Sequence, residues 1–258
     1  MALMPLVTLD LADHIATVTM RRTDRLNSLN TQMIGQLQAA LEEGAGAARV
    51  VVLRAEPGVK VFSAGHDLDE VPVHADPHEW DNPVERLIAG IPALPAPVIA
   101  AVQGTVWGAA CNLVVACDLV VATADATFAI TPAKLGVPYF RAGLSIFARS
   151  LPLHVVKGMF YTATPLTAEQ ALRYGLLFDL VEDGPALDVA TASLAGRIAG
   201  LAPLTIESVK AELDALDGLT DVDEAELTRL RTRAWTSDDV KEGVAAFHER
   251  RRPVFEGK

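Results

Sequence analysis

The sequence predicts an α/β protein: a core with a mostly parallel sheet covered on both faces, followed by a helical C-terminal region. Three observations predict it. Strand-like, turn and helix-like stretches recur in that order up to residue 183. The runs Arg49–Arg54 and Pro97–Val102 are apolar almost throughout instead of alternating, as strands buried on both faces are. Beyond residue 183 every segment has helical periodicity, so the expected division is 1–183 for the core and 184–258 for the helical region.

Taken in order, Val7–Asp10 and Ile15–Met20 read as strands joined by a turn at Ala12-Asp13-His14. After the polar loop Arg21–Ser28, Asn30 is placed to cap a helix with Met33, Ile34, Leu37 and Leu41 on one face. Strand 49–54 leads through a Pro/Gly loop into Val61-Phe-Ser-Ala-Gly-His-Asp-Leu-Asp-Glu70. There Ser63, Ala64 and Gly65 let backbone approach a ligand, and Asp67, Leu68 and Glu70 open a helix whose first turn suits acids. Pro72–Pro83 lacks periodicity and reads as a surface loop. His74 and His78 lie within it, but Pro77 breaks the helix that would align them as metal ligands, so no metal site is expected.

Residues 84–91 form an amphipathic helix through Val84, Leu87, Ile88 and Ile91. Strand 97–102 feeds a second small-residue turn, Gly104-Thr-Val-Trp-Gly-Ala-Ala-Cys-Asn-Leu113, opening a helix over 109–116. Leu119–Ala122 and Thr127–Ile130 are short strands, and 141–162 holds two apolar helices. Thr167 with Gln170 is a capping box, Gly175 ends that helix, and Phe178–Val181 is a last strand. Pro185–Leu201, Pro203–Leu216, Asp221–Trp235 and Ser237–Arg250 are helical, with Ser237 as a cap and Val240, Val244 and Phe247 on one face of the last.

The net charge of −11 argues against a nucleic-acid partner. No apolar run reaches the roughly 20 residues of a membrane span. The N-terminus shows no secretory pattern, and the two cysteines, Cys111 and Cys117, read as reduced core residues, so a cytoplasmic location is expected. Neither a glycine-rich nucleotide-binding motif nor a nucleophile elbow is present.

Two strand-to-helix turns suggest one piece of chemistry. The backbone amides of His66 and Ala109, the latter following Gly108, are placed to converge on a single oxyanion. With Lys60–Asp67, Val106-Trp-Gly108, Thr127-Phe128, Thr131-Pro132, Leu135-Gly-Val-Pro-Tyr139 and Arg250-Arg-Arg-Pro253, these turns make the chain resemble the crotonase (enoyl-CoA hydratase/isomerase) superfamily from end to end. Within it, the resemblance is greatest to the branch that decarboxylates methylmalonyl-CoA.

The resemblance implies a ββα spiral core, a C-terminal trimerisation region, and a homotrimer or homohexamer. It implies an acyl-CoA thioester substrate and no cofactor, coenzyme A being part of that substrate. It places the Arg25-Leu26-Asn27-Ser28 loop, Phe247 and Arg250 near the CoA nucleotide, with Ala64, Gly65, Asp67, Leu68 and Gly108 also at the substrate. Hydratases of the superfamily carry two glutamates, at positions that match Asn112 and Ala133 here. Hydration needs a base for water and an acid for carbon, and neither residue moves protons near neutral pH. Asn112 also departs from the decarboxylase pattern, in which a glutamate sits.

Decarboxylation asks instead for enolate stabilisation, a dry pocket, and a polar group to orient the carboxylate. Thr131 and Tyr139 are the polar candidates; Phe128, Ile130, Val137 and Trp107 are candidate walls. The expected activity is decarboxylation of a short malonyl-type CoA thioester, methylmalonyl-CoA to propionyl-CoA. The alternatives are a hydratase or isomerase of the same superfamily and an inactive CoA-ester-binding protein.

Overall fold

The computed structural model describes residues 5–71 and 82–258. The loop read over Pro72–Pro83 falls mostly outside the described residues, and His74 and His78 lie wholly outside them.

Two sheets form the core. The larger runs in the order β1 (Val7–Ala12), β2 (Ile15–Met20), β3 (Val50–Ala55), β5 (Val98–Val102), β7 (Leu119–Thr123), β10 (Asp179–Val181). Its β1–β2 pair is antiparallel and the remaining pairs are parallel. The smaller sheet runs β4 (Val61–Ser63), β6 (Thr105–Trp107), β8 (Thr127–Ala129), β9 (Leu166–Thr167). Successive strands alternate between the sheets: β3 then β4, β5 then β6, β7 then β8. This alternation is the ββα spiral, and it brings the ends of β4 and β6 side by side, with Val61 paired to Thr105 and Ser63 to Val106.

The periodic patterns become helices for the expected reasons. Asn30 accepts from the Met33 amide and starts α1 (Thr31–Ala47), which buries Met33, Ile34, Leu37 and Leu41. Asn82 caps α2 (Pro83–Gly90), with Pro83 at its first position, and α3 spans Ala109–Val115. Helix α4 (Arg141–Ser150) packs against α3 and α5 (Leu153–Thr162), and the Thr167–Gln170 capping box opens α6 (Ala168–Arg173).

Four differences from the sequence reading have local causes. The helix expected from Asp67 is a single 3-10 turn, Leu68–Glu70, because the Asp67 carboxylate accepts from the Asp69 amide and the chain extends again at Val71. Ser237 does not cap α10 (Asp238–Glu249); its hydroxyl donates back to the Ala234 carbonyl. Asp223, two residues past the expected start, caps α9 (Glu224–Trp235) by accepting from Glu226 N. Finally, α7 (Gly184–Ala199) is part of the core: Leu187, Leu194, Ala195 and Ala199 cover Val50, Val52, Ile99, Ala101 and Val121 on the outer face of the large sheet. Packing therefore puts the change of character after α7, and the helical remainder is α8 (Pro203–Leu216), α9 and α10.

Candidate active site

β4 ends at Ser63, and its continuation is clamped to the 26–29 loop. Ala64 N donates to Leu26 O at 2.9 Å, Leu29 N to Gly65 O at 2.7 Å, and Asp67 N to Leu29 O at 3.1 Å. These bonds form a parallel bridge between Leu29 and His66. In such a bridge the bridging residue's own N–H points to the side away from its partner, here away from Leu29. Buried Asn27 donates through Nδ2 to Phe62 O, and the Ser63 hydroxyl donates to Asn27 O, which fixes the loop further. Leu26 and Asn27 take left-handed φ values of 54° and 51° as a result.

The second turn comes up beside the first. β6 ends at Trp107, Gly108 turns the chain at φ 54°, and Ala109 begins α3. First-turn helix amides have no partner within their helix, which makes Ala109 N–H a donor facing outward. Gly65, at φ +84°, is where the turns touch: a Cβ there would lie 2.4 Å from Trp107 O and 3.0 Å from Ala109 N. Glycine is thus required both by conformation and by space.

The turns open on a cavity of about 750 Å³, within the size range of small-molecule sites. Arg25, Leu26, Ala64, Asp67, Leu68 and Gly108 line it, as expected. So do His66, Ala109, Asn112, Thr131 and Tyr139. Gly65 is not on the wall; it is the contact between the two turns beneath it. Phe247 and Arg250 are not on the wall either. They sit at the end of α10, where Phe247 is 80% exposed and meets the His248 ring edge-on. Of the apolar wall candidates, Trp107 and Val137 line the cavity, whereas Phe128 and Ile130 are fully buried in the core.

One side-chain network crosses the inner wall. Asn112, 2% exposed, donates through Nδ2 to the Gly143 carbonyl at 2.8 Å and accepts from the Tyr139 hydroxyl at 3.1 Å. The Tyr139 ring packs edge-on against Phe160 at 5.0 Å. Burial, reinforced by Cys111 and Glu85, pushes the Tyr139 hydroxyl well above its ordinary range, so it stays protonated. Burial lowers the His66 imidazole, with Glu70 and Asp67 opposing. Asp67 is pulled below the usual carboxylate range, first by its hydrogen bond from Arg22 at 2.6 Å, and Ser28 also donates to it. That carboxylate therefore clamps the loop as well as lining the cavity. Cys111 is buried and its thiol is pushed up to about 12.

Two residues of the site carry no sequence signal. Arg22 lies in a polar loop, and only the fold brings it to Asp67. Glu85 occupies the first turn of α2, where an acid suits the dipole, yet it lines the cavity and burial raises its carboxyl. Among the described residues there is no cluster of three or more metal-ligating side chains.

An α/β spiral with two backbone amides aimed at one cavity defines a class of thioester-activating enzymes. Residues 10–258 match the family described as enoyl-CoA hydratase/isomerase, and the chain belongs to that family, the crotonase superfamily. Among relatives, it is 37% identical to the methylmalonyl-CoA decarboxylase of Escherichia coli (strain K12) over 250 residues, covering 95% of each chain. It is 33% identical to the (E)-benzylidenesuccinyl-CoA hydratase of Thauera aromatica over 267 residues, covering 97% of this chain and 99% of the relative. Among solved structures, a methylmalonyl-CoA decarboxylase in complex with 2-nitronate-propionyl-CoA is 35% identical with a TM-score of 0.79, covering 98% of this chain and 99% of that one. An enoyl-CoA hydratase/carnithine racemase from Magnetospirillum magneticum has a TM-score of 0.89 at 32% identity, covering 99% and 97%.

Proposed function

We propose that this protein decarboxylates a short malonyl-type CoA thioester, converting methylmalonyl-CoA to propionyl-CoA. The observation that carries the reading is the hydroxyl–amide pair Tyr139–Asn112, set beside the converging turns where a hydratase would have a carboxylate. The decarboxylase relative and its nitronate-bound homologue support it.

The thioester carbonyl accepts from the His66 and Ala109 amides, which stabilise the enolate oxygen as the C–C bond breaks. One such donor contributes about 2.7–4 kcal/mol. When substrate binds, the Tyr139 hydroxyl, packed against Phe160, turns its single proton from Asn112 to the departing carboxylate and holds that group out of the carbonyl plane. Thr131 offers a second hydroxyl on the same wall. Trp107 and Val137 keep water from the carboxylate, which favours passage of its charge into the enolate as neutral CO2 leaves. The CoA moiety runs past Arg25 and Leu26 at the mouth, and no further cofactor takes part.

We also infer a homotrimer or homohexamer in the cytoplasm. Trp235 and Phe247 are 78% and 80% exposed in the single chain, and Leu213, Leu216 and Val244 are exposed on the same three C-terminal helices. A surface of that kind is normally covered by a partner. Light scattering of a monomer at micromolar concentration would refute this.

The deciding assay presents methylmalonyl-CoA, malonyl-CoA and crotonyl-CoA separately and identifies products by mass. Propionyl-CoA with little or no hydration of crotonyl-CoA is expected. Rapid hydration without CO2 release would instead establish a hydratase.

A further inference from the structure

We propose that Glu85 is the proton-transfer group of this site, the residue that delivers a proton to the α-carbon of the enolate and removes one in the reverse direction. The reading goes beyond the decarboxylation itself, resting only on formation of a thioester enolate in this cavity. It implies a second activity, exchange of α-protons on saturated short acyl-CoA thioesters.

The chemistry requires such a group. Loss of CO2 leaves an electron pair in the enolate, and a C–H bond must form before product can leave. The two positions where hydratases carry glutamates hold Asn112 and Ala133, and neither supplies a proton. Tyr139 is held protonated by burial and serves as a hydrogen-bond donor, so it is a poor proton carrier. His66 contributes to the cavity from the oxyanion turn, and Asp67 is bound to Arg22.

Glu85 lines the same cavity. On α2 the residues Val84, Leu87 and Ile91 are buried in the core, while Glu85, Ile88 and Ala89, three and four residues apart, present a second face to the cavity. Glu85 is the one acid on that face, and it shares the cavity with Tyr139. Its half-buried carboxyl belongs to the first turn of α2, whose cap is Asn82. Burial already favours the protonated carboxyl, and a substrate carboxylate nearby favours it further, since like charges in one pocket do not both ionise. The acid is therefore loaded while the malonyl group is present. When CO2 departs, the enolate carbonyl re-forms, the α-carbon takes the Glu85 proton, and the carboxylate is reprotonated from water at the cavity mouth. With a saturated acyl-CoA the ionised carboxylate runs the first half in reverse, taking the α-proton as the enolate forms on the two amides.

The test uses propionyl-CoA in deuterated water, with α-deuterium uptake read by mass spectrometry and binding measured by calorimetry. The wild type should exchange well above the enzyme-free rate. Glu85→Gln, nearly the same shape, should bind propionyl-CoA as before yet exchange at least about 10²-fold more slowly, the usual worth of a positioned acid or base. Glu85→Asp should fall between. Exchange at the wild-type rate in Glu85→Gln would overturn the proposal. So would a wild type that exchanges nothing, or a loss of exchange that merely tracks a loss of binding. Failure of the decarboxylase reading appears separately, as exchange without CO2 release from methylmalonyl-CoA.

Discussion

The two walls of the cavity are made in different ways. The oxyanion wall is backbone: Gly65 pressed against Trp107 and Ala109, with the 26–29 loop stitched alongside. The rest of the lining is side chain: Tyr139 from the 131–143 segment, Asn112 from α3 and Glu85 from α2, with Asn112 bonded to both Gly143 and Tyr139. The first wall fixes what every enolate-forming member needs, an oxygen site that does not reorganise during reaction. In the proposed reaction the side chains of the second decide what happens to the enolate. One framework can therefore serve both the decarboxylase and the hydratases to which this chain is similar.

The comparison can be broken first at Gly65. Gly65→Ala sets a methyl carbon against Trp107 O in a left-handed conformation, so the turns must separate. Turnover should fall about 10²–10³-fold, the loss of an oxyanion donor, while circular dichroism stays native. Near-normal turnover would show that the amides need not converge.

Tyr139→Phe tests the other wall. Since the hydroxyl orients a charged group and does not give up its proton, kcat should drop about 10–150-fold with KM little changed, the equivalent of a hydrogen bond to a charge. Asn112→Asp removes the amide that donates to Gly143 and sets a carboxylate near the substrate's own, so KM should rise. The double variant should lose less than the sum of the two, because the residues act as one unit. Strict additivity would separate them.

A smaller effect, on stability, is expected at Asp67. Its folded carboxyl lies below its ordinary value of 3.8, so the stabilisation is present above that pH and is lost as pH falls through the folded value. At pH 7 Asp67→Asn should cost about 1.5–3 kcal/mol, the worth of a hydrogen bond to a charged group. Melting temperatures of the two proteins should begin to approach each other below 3.8 and converge once the pH has passed the folded value. A gap that persists there would mean that packing, and not the Arg22 pair, is what the carboxylate contributes.

The same contrast explains what could be read from the chain. The backbone wall was legible because its parts are local: small residues and glycine after an apolar strand, twice over, force two tight turns. The helices were legible through Asn30, Thr167 and the apolar periodicity. Tyr139 and Asn112 were legible singly, but their bond spans 27 positions and exists only because α3 packs beside the 131–143 segment. Glu85 was hidden because an acid in a first helical turn already has an ordinary explanation. Phe247 and Arg250 were assigned through family likeness, and in the single chain they lie away from the cavity. The place of α7 was missed because a helix over a sheet and a helix in an appendage show the same periodicity.

Leu26 combines a left-handed backbone with a place in the cavity lining. The residue is 48% exposed and holds a left-handed backbone that a β-carbon disfavours by roughly 1–2 kcal/mol. Glycine would adopt that conformation freely, so Leu26→Gly should melt higher or no lower than wild type. The leucine side chain, however, is part of the cavity mouth, and its loss should weaken grip on the acyl-CoA. Selection for thermal endurance and selection for substrate capture thus pull this one position in opposite directions. A laboratory screen for hardier variants that replaced this leucine with glycine would lose affinity.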